Sequence, residues 1–236
     1  FHNYNYNIRN TQNILSILVF TVLNSSVGYC QINIEIPAIN VNDTITTHKG
    51  FTLLYNKKYK QASWVAYELT KEETNKIVKR NNKFIPDPKI ASGTANNADY
   101  KNSGYDRGHL APAADMCWSD SSMKESFYFS NISPQVPAFN RGIWKDLEEQ
   151  VRAWAIEDGA IYIVTGPVLI PELPTIGKNE VAIPKYFYKV ILKYTKPNVE
   201  AIGFIIPNTG MNEPLQSFAI SVDGVEKITN LDFFSL

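Results

Sequence analysis

The stretch YDRGHLAP, residues 105–112, places an acid, a base and an imidazole within four positions. These groups are Asp106, Arg107 and His109, and Gly108 separates the base from the imidazole. A neutral imidazole accepts a proton near pH 7, which suits a general base that activates water. We therefore expect the proton chemistry at this stretch and interpret the rest of the chain as what positions it.

The same stretch predicts a strand, since residues 108–113 are short and apolar apart from His109. Successive side chains of a strand alternate between its faces, so Arg107 and His109 would share one face. Arg107 could then hold a phosphate through two hydrogen bonds. Asp106 would point the other way, and we expect it to partner loop amides or an arginine. A lone histidine without such neighbours is more often a surface residue or a hydrogen-bonded core residue.

Composition sets broad limits on the function. The 236 residues are enough for one domain with one core. The net charge is zero, which argues against a histone-like or ribosomal role but not against a nucleic-acid enzyme with a local basic patch. Two cysteines are too few for a disulfide framework. Of the three histidines, His2 falls in a predicted leader, so a three-histidine zinc site is not expected.

Residues 1–30 differ from the rest and predict a leader. An apolar run at residues 14–23 is shorter than the roughly 20 residues of a membrane-spanning helix. Small and polar residues follow at 24–28, and this layout is typical of a secretory signal peptide. It predicts a secreted or periplasmic protein, with a buried strand or helix as the alternative. Cys30 could carry a lipid after cleavage, but Tyr29 is a poor residue before such a site.

Alternating and β-branched patterns predict an α+β fold with a mainly antiparallel central sheet. An aromatic-rich segment at residues 127–130 also resembles a strand. The strands expected with the strongest patterns are at residues 50–55, 61–69, 161–166, 186–192 and 202–206. Residues 215–222 and 225–234 each predict a strand or a helix.

A helix is predicted from about residue 138 to residue 157. Its apolar positions follow the helical repeat and are Trp144, Leu147, Val151 and Trp154. At about 100° per residue, Asn140 falls within the same stripe. Asn140 could cap the helix start, or its oxygen could bind a hard cation such as Mg²⁺, which keeps most of its waters and accepts few protein ligands.

Four other polar residues could serve the same site. Glu148 lies about two turns on, roughly 12 Å along the axis, which is too far to bind the same ion directly. It could hold a metal-bound water, orient an arginine, or simply be a solvated carboxylate. Asn131 and Gln135 could bind phosphate or water near a metal, or stabilise a turn. Arg80 belongs to a basic segment upstream of the phosphate site, and such a run is usually solvated surface.

Cys117 offers a different chemistry. With His109 it could form a cysteine–histidine nucleophile pair. Nothing in the spacing provides the sharp turn or helix N-terminus that would activate the thiol. Such a hydrolase would be inactivated by thiol alkylation and indifferent to EDTA.

Three blocks together resemble the DNA/RNA non-specific endonucleases. They are DRGH at 106–109, NISPQ at 131–135, and NRGIW at 140–144 followed by Glu148. The resemblance extends over roughly residues 45–236. It implies one nuclease domain at residues 31–236, with a ββα-metal core and a mainly antiparallel central sheet flanked by helices.

The resemblance also implies a mechanism and its residues. His109 would be the general base, Asn140 the direct Mg²⁺ ligand, and Glu148 the residue that holds a metal-bound water. Mn²⁺ or another divalent cation would also be compatible with the site. The reaction would be hydrolysis of phosphodiester bonds in DNA and RNA.

Contacts to the phosphate backbone would dominate binding, so sequence preference should be weak. The resemblance implies that Arg107 and Arg80 contact the phosphate or the transition state, and that Asn131 supports the site. The alternative is a nuclease-like module that binds nucleic acid or a protein without cutting it. The intact pair of His109 and Asn140 argues against that alternative.

Overall fold

The computed structural model describes residues 33–41, 43–195 and 197–235. The predicted leader at residues 1–30 and its Cys30 lie outside this part of the chain. Within the described ranges, no helix has the length and apolar character needed to cross a membrane.

A seven-stranded sheet with the order β1-β2-β3-β6-β9-β10-β11 forms the centre of the molecule. Every neighbouring pair in it is antiparallel. Two short pairs, β4-β5 and β7-β8, lie outside it. The strands are β1 (Ile45–Thr47), β2 (Thr52–Asn56), β3 (Gln61–Thr70), β4 (Asp106–His109), β5 (Ile132–Gln135), β6 (Ala160–Pro167), β7 (Thr175–Ile176), β8 (Val181–Ala182), β9 (Tyr186–Thr195), β10 (Asn198–Pro207) and β11 (Ala219–Ile220). The predicted α+β fold and its mainly antiparallel sheet are confirmed.

Helices cover both faces of this sheet. The α-helices of the described residues are α1 (Asn97–Tyr100), α2 (Asp120–Ser126), α3 (Pro137–Arg141), α4 (Ile143–Asp158) and α5 (Val222–Thr229). On one face, Trp144 and Leu147 of α4 join Ile163 and Ile191 in the larger apolar cluster. On the other face, Val225 of α5 joins a second cluster. The alternating side chains of the central strands therefore supply two cores.

The single helix predicted from about residue 138 is wrong, because the chain breaks at Gly142 into α3 and α4. Gly142 has a non-helical backbone (φ −107°, ψ −116°). A Cβ atom there would lie 2.6 Å from the carbonyl oxygen of Ala138, so only glycine fits. The apolar stripe is confirmed on α4, where Trp144 and its partners are buried. Asn140 lies on α3 instead, so its predicted axial offset from Glu148 does not apply.

Two of the strand predictions are also wrong, one in the type of element and one in where the strand ends. Residues 127–130 follow α2 and enter a 3-10 turn at Phe129–Asn131 rather than a strand, and the strand begins at Ile132. The aromatic side chains of this segment are buried although its backbone forms a turn. Their high β-propensity therefore indicated burial and not an extended backbone. Strand β4 ends at His109, because the next backbone amides, those of Leu110 and Ala111, bond to Asn131 instead.

Candidate active site

Strands β4 and β5 hold the DRGH residues in an antiparallel pair that contacts α3. In their register Gly108 lies opposite Ser133, and Asp106 lies opposite Gln135. The Gln135 carboxamide packs across Gly108, and a Cβ atom at that position would overlap it. Gly108 is therefore required by close packing. The alternation of β4 puts Arg107 and His109 on one face and Asp106 on the other.

His109 lies between two aromatic rings. Its ring centroid is 4.7 Å from that of Phe127 and 5.5 Å from that of Phe84. Burial, with the added charges of Arg80 and Arg107, lowers the pKa of His109 to about 3. The imidazole is therefore neutral at physiological pH, which is the form that a general base needs before it acts. Its Nε2 atom is buried and has no hydrogen-bond partner among the described residues.

Arg107 contacts Phe84, one of the two rings beside His109. Its guanidinium carbon lies 4.4 Å from the centroid of Phe84, the ring that also contacts His109. Its Nη1 donates a 2.6 Å hydrogen bond to Oδ1 of Asn97. The side chain is thus held beside the imidazole by a cation–π contact and one hydrogen bond, with its other N–H groups available to an anion.

Arg80 takes the equivalent position on the other ring. Its guanidinium carbon lies 5.1 Å from the centroid of Phe127, and its Nε donates a 3.0 Å bond to Asn82. Partial burial lowers its pKa, and the charge of Glu148 acts in the opposite direction. The structure therefore brings both predicted arginines to the two rings that enclose His109.

Asn140 is oriented by the acid of the DRGH stretch. Its Nδ2 donates a 2.9 Å bond to Oδ2 of Asp106, and Arg141 donates to both Asp106 oxygens at 2.8 and 2.7 Å. Partial burial acts to raise the pKa of Asp106, but the bonds from Arg141 and Asn140 hold it below its ordinary value. The predicted role of Asp106 as a partner for an arginine agrees with these contacts. Asn140 caps neither helix, since Val136 and Gly142 hold those positions.

This arrangement fits a hard cation in one respect. Because the amide nitrogen of Asn140 is committed to Asp106, its Oδ1 is left as an acceptor, and no described residue donates to it. An amide oxygen is a ligand that Mg²⁺ and Ca²⁺ accept. Across the described ranges, no group of three or more histidine, cysteine or acidic residues is placed to hold a metal ion. The Asn140 oxygen is a donor that this site offers.

Asn131 and Gln135 are fully buried, so neither reaches a phosphate in this conformation. Asn131 accepts from the Ala111 amide at 2.9 Å and donates to the carbonyls of Ala111 and Ser126 at 2.9 and 2.8 Å. It therefore fixes the backbone immediately after His109. The amide atoms of Gln135 have no hydrogen-bond partner in the described structure. Its visible role is packing against Gly108.

Glu148 borders a buried ionic cluster that the sequence reasoning missed. Asp115 accepts bonds from the Tyr67 hydroxyl at 2.8 Å and from Arg152 at 2.7 Å. Burial raises the pKa of Glu148 to about 8, while the charge of Lys189 opposes that rise. The spacing of Glu148 and Arg152 at i and i+4 on α4 was a signal that could have identified their shared face.

Lys189 is fully buried in the middle of β9. Its Nζ lies 4.8 Å from the centroid of the Trp144 ring and has no hydrogen-bond partner among the residues described. Burial lowers its pKa to about 8, and Glu148 is the strongest opposing charge. A lysine within the apolar run YFYKVIL was the sequence signal for this group.

The cysteine–histidine alternative receives no support from the geometry. The Cys117 thiol donates to the carbonyl of Ala114 at 3.0 Å and to that of Asn75 at 3.7 Å. Burial raises its pKa, which disfavours the thiolate. The aromatic contacts of His109 are to Phe84 and Phe127.

Comparison with known proteins gives consistent matches. The family model for DNA/RNA non-specific endonucleases matches residues 31–236. Human mitochondrial endonuclease G is 34% identical over 204 residues, covering 80% of this chain and 69% of the relative. Nuclease C1 of Cunninghamella echinulata var. echinulata is 37% identical over 203 residues, covering 79% of this chain and 81% of the relative.

The fold matches a solved structure as well. A chain in the crystal structure of an EndoG/EndoGI complex superposes with a TM-score of 0.79 at 31% identity. The match covers 91% of this chain and 93% of that one.

The predicted secreted or periplasmic location is wrong, because the endonuclease G relatives from human and Caenorhabditis elegans and nuclease 1 of Schizosaccharomyces pombe are mitochondrial proteins. An apolar run followed by small residues is a local pattern and did not identify the compartment.

Proposed function

Because the chain belongs to the DNA/RNA non-specific endonuclease family and is therefore a nuclease, we propose that it is a Mg²⁺-dependent, sugar-nonspecific endonuclease with His109 as general base. One observation carries this proposal. A neutral imidazole lies between two rings that each hold an arginine, and the Asp106 carboxylate three residues earlier orients the Asn140 amide. We expect the base, the phosphate contacts and the oxygen donor to be organised around β4, which carries His109, Arg107 and Asp106.

The proposed chemistry is hydrolysis of a phosphodiester. His109 takes a proton from water, the water oxygen forms a bond to phosphorus, and the bond from phosphorus to the 3′ oxygen breaks. The 3′ oxygen keeps the electron pair of that bond and takes a proton from solvent, and His109 releases its proton to solvent. Nδ1 is the nitrogen we expect to take the proton, since Nε2 is enclosed. Arg107 and Arg80 donate to the phosphate oxygens as negative charge develops.

Asn140 would hold the divalent cation through Oδ1, with Asp106 fixing the direction of that oxygen. The cation would supply Lewis-acid stabilisation of the charge on the phosphate. Glu148 would orient water at the edge of the site, where it lies within the field of Arg80 and Lys189. Mg²⁺ is the proposed ion because it accepts few protein ligands, and Mn²⁺ would be expected to substitute.

The proposed substrates are both DNA and RNA. The cationic groups at the site are arginines that recognise phosphate, which the two polymers share. The family description also includes both polymers. Sequence preference should accordingly be weak.

A plasmid and RNA degradation assay tests this function. With Mg²⁺ the purified chain should nick and degrade supercoiled plasmid and also degrade RNA, and EDTA should abolish both reactions. A Cys117→Ser variant is the matched control and should behave as the parent. Intact plasmid and intact RNA after incubation with Mg²⁺ would refute the proposal.

We also propose a mitochondrial location. The support is the mitochondrial naming of endonuclease G, nuclease EXOG and nuclease 1 relatives. The tagged protein expressed in eukaryotic cells should co-fractionate with a mitochondrial matrix or intermembrane-space marker. Recovery of the protein in the medium or cytosol would contradict this.

A further inference from the structure

Two clefts flank Tyr105, the residue immediately before the DRGH stretch. The first has a volume of about 390 Å³ and is lined by Asn97, Tyr100, Lys101, Tyr105, Asp106 and Arg107. The second has a volume of about 310 Å³, and its lining includes Tyr105, Pro184, Lys185, Tyr186, Asn208 and Thr209. Tyr105 is common to both, so the clefts are neighbours along one surface. The first reaches Arg107, the proposed phosphate contact.

The walls of these clefts suit the faces of nucleobases. Tyr105 is half-buried, and Tyr186 is 43% exposed at the start of β9. Aromatic rings that remain accessible to solvent are surfaces on which unpaired bases stack. Tyr100 also lines the first cleft, and its hydroxyl is buried with no hydrogen-bond partner among the described residues. A ligand could supply the hydrogen-bond partner that this hydroxyl lacks.

The charges of the lining suit a polyanion. Lys101 and Arg107 are exposed in the first cleft, and Lys185 is exposed in the second. The carboxylate in the linings is that of Asp106, which is already neutralised by its two bonds from Arg141. Cations and aromatic rings therefore line both clefts, which is the composition of single-strand binding grooves.

The floor of the second cleft is rigid. The Asn208 side chain accepts from the Val136 amide at 2.8 Å and donates to the carbonyls of Pro134 and Pro184 at 3.1 and 2.9 Å. These bonds tie together the end of β5, the entry to β9 and the end of β10. A rigid floor limits the entropy lost when a ligand binds.

We propose that the two clefts are consecutive nucleotide subsites for a single, unpaired strand beside the scissile phosphate, with bases stacked on Tyr105 and Tyr186 and phosphates held by Lys101 and Lys185. The inference rests on the proposed nuclease function and adds a substrate form to it. In a duplex the faces of internal bases are covered by their neighbours, so they could not enter these clefts. The surface therefore favours single-stranded segments over duplex.

Binding measured without cleavage tests the inference. Fluorescence anisotropy with a labelled single-stranded DNA octamer, in EDTA, reports affinity for the parental chain and its variants. Tyr105→Ala and Tyr186→Ala should each weaken binding about 5- to 100-fold, while Tyr105→Phe and Tyr186→Phe should bind nearly as the parent. Binding of a duplex of the same sequence should change by less than about 2-fold on this account.

Control variants separate this subsite from general charge effects. Lys185→Ala should weaken octamer binding, whereas Lys227→Ala, an exposed lysine on α5 at the opposite face of the sheet, should not. Parental affinity in both tyrosine-to-alanine variants, or equal losses for octamer and duplex, would overturn the inference. If Tyr105→Ala does not fold, as judged by circular dichroism, the exposed Tyr186 decides the matter alone. Failure of the nuclease proposal would appear separately, as absence of cleavage by the parent with Mg²⁺.

Discussion

The amide nitrogen of Asn140 donates a 2.9 Å hydrogen bond to Oδ2 of Asp106, so the acid of the DRGH stretch sets the orientation of an amide 34 residues later. The same carboxylate is held on both oxygens by Arg141. A carboxylate can only accept from the amide, which commits the Asn140 nitrogen and leaves its oxygen for another partner. The geometry of the proposed cation site therefore depends on a residue that does not touch the cation.

Asp106→Asn tests this positioning role. The new amide can donate as well as accept, so it no longer specifies which end of Asn140 faces it. We expect the Mg²⁺ concentration for half-maximal cleavage to rise, or the rate to fall, by about 10- to 100-fold. A Mg²⁺ titration of plasmid cleavage measures both, with Arg141→Gln expected to give a smaller change. Parental Mg²⁺ dependence and rate in Asp106→Asn would show that the contact is incidental.

The buried, neutral His109 should make stability depend on pH. Its pKa falls from 6.5 to about 3 on folding, so between these values the unfolded chain binds a proton that the folded chain does not. The free energy of unfolding therefore decreases as the pH falls below about 6.5, by up to about 1.4 kcal/mol per pH unit. Urea unfolding at several pH values should show a shallower decline for His109→Gln than for the parent. Identical slopes would mean that the imidazole titrates normally.

Arg107 should be replaceable only poorly by lysine. Its planar guanidinium stacks at 4.4 Å over Phe84 and can still present a pair of donors to a phosphate. We expect Arg107→Ala to lower kcat/KM by about 100- to 1000-fold on DNA and RNA alike. Arg107→Lys should recover only a small part of this loss. The Lys227→Ala variant controls for net charge, and full activity of Arg107→Lys would contradict the two-donor role.

Glu148 and Lys189 should be energetically coupled. Lys189 is fully buried and Glu148 is partly buried, and each opposes the effect of burial on the pKa of the other. Removing one partner leaves an uncompensated buried group, so Glu148→Gln and Lys189→Met should each destabilise the fold, by about 3–5 kcal/mol if the remaining charge persists. The double variant should be more stable than the sum of the single losses predicts. Strict additivity in urea unfolding would show that the two groups are independent.

Local patterns predicted the sheet and the strand that carries His109, because alternating side chains and β-branched residues report directly on extended, half-buried backbone. The break at Gly142 was visible as a glycine, but one glycine costs a helix only about 1 kcal/mol. The Ala138 carbonyl, which leaves no room for a Cβ atom at residue 142, explains why the residue at the break is glycine, and that contact exists only in the folded backbone. Asn140 was therefore assigned to the wrong helix although its candidate role as an oxygen donor stands as a prediction.

The environment of His109 was not predictable from sequence, because Phe84 and Phe127 come from segments that flank β4 only after folding. The contact between Arg80 and Phe127 is likewise long-range. Lys189 was different, since a lysine inside an apolar strand is a local signal that a buried charge needs a partner. Reading that signal would have indicated the ionic cluster around Glu148.

Single-turnover cleavage by His109→Gln, compared with the parent at saturating Mg²⁺, tests the central claim most directly. The substitution removes the proton acceptor, while Asp106, Asn140 and both arginines remain. Loss of a general base predicts that the cleavage rate falls by at least about 100-fold on both DNA and RNA. Octamer binding in EDTA should stay within about 3-fold of the parent, because the strand contacts are mainly to other residues. Cleavage by His109→Gln at the parental rate would contradict the account.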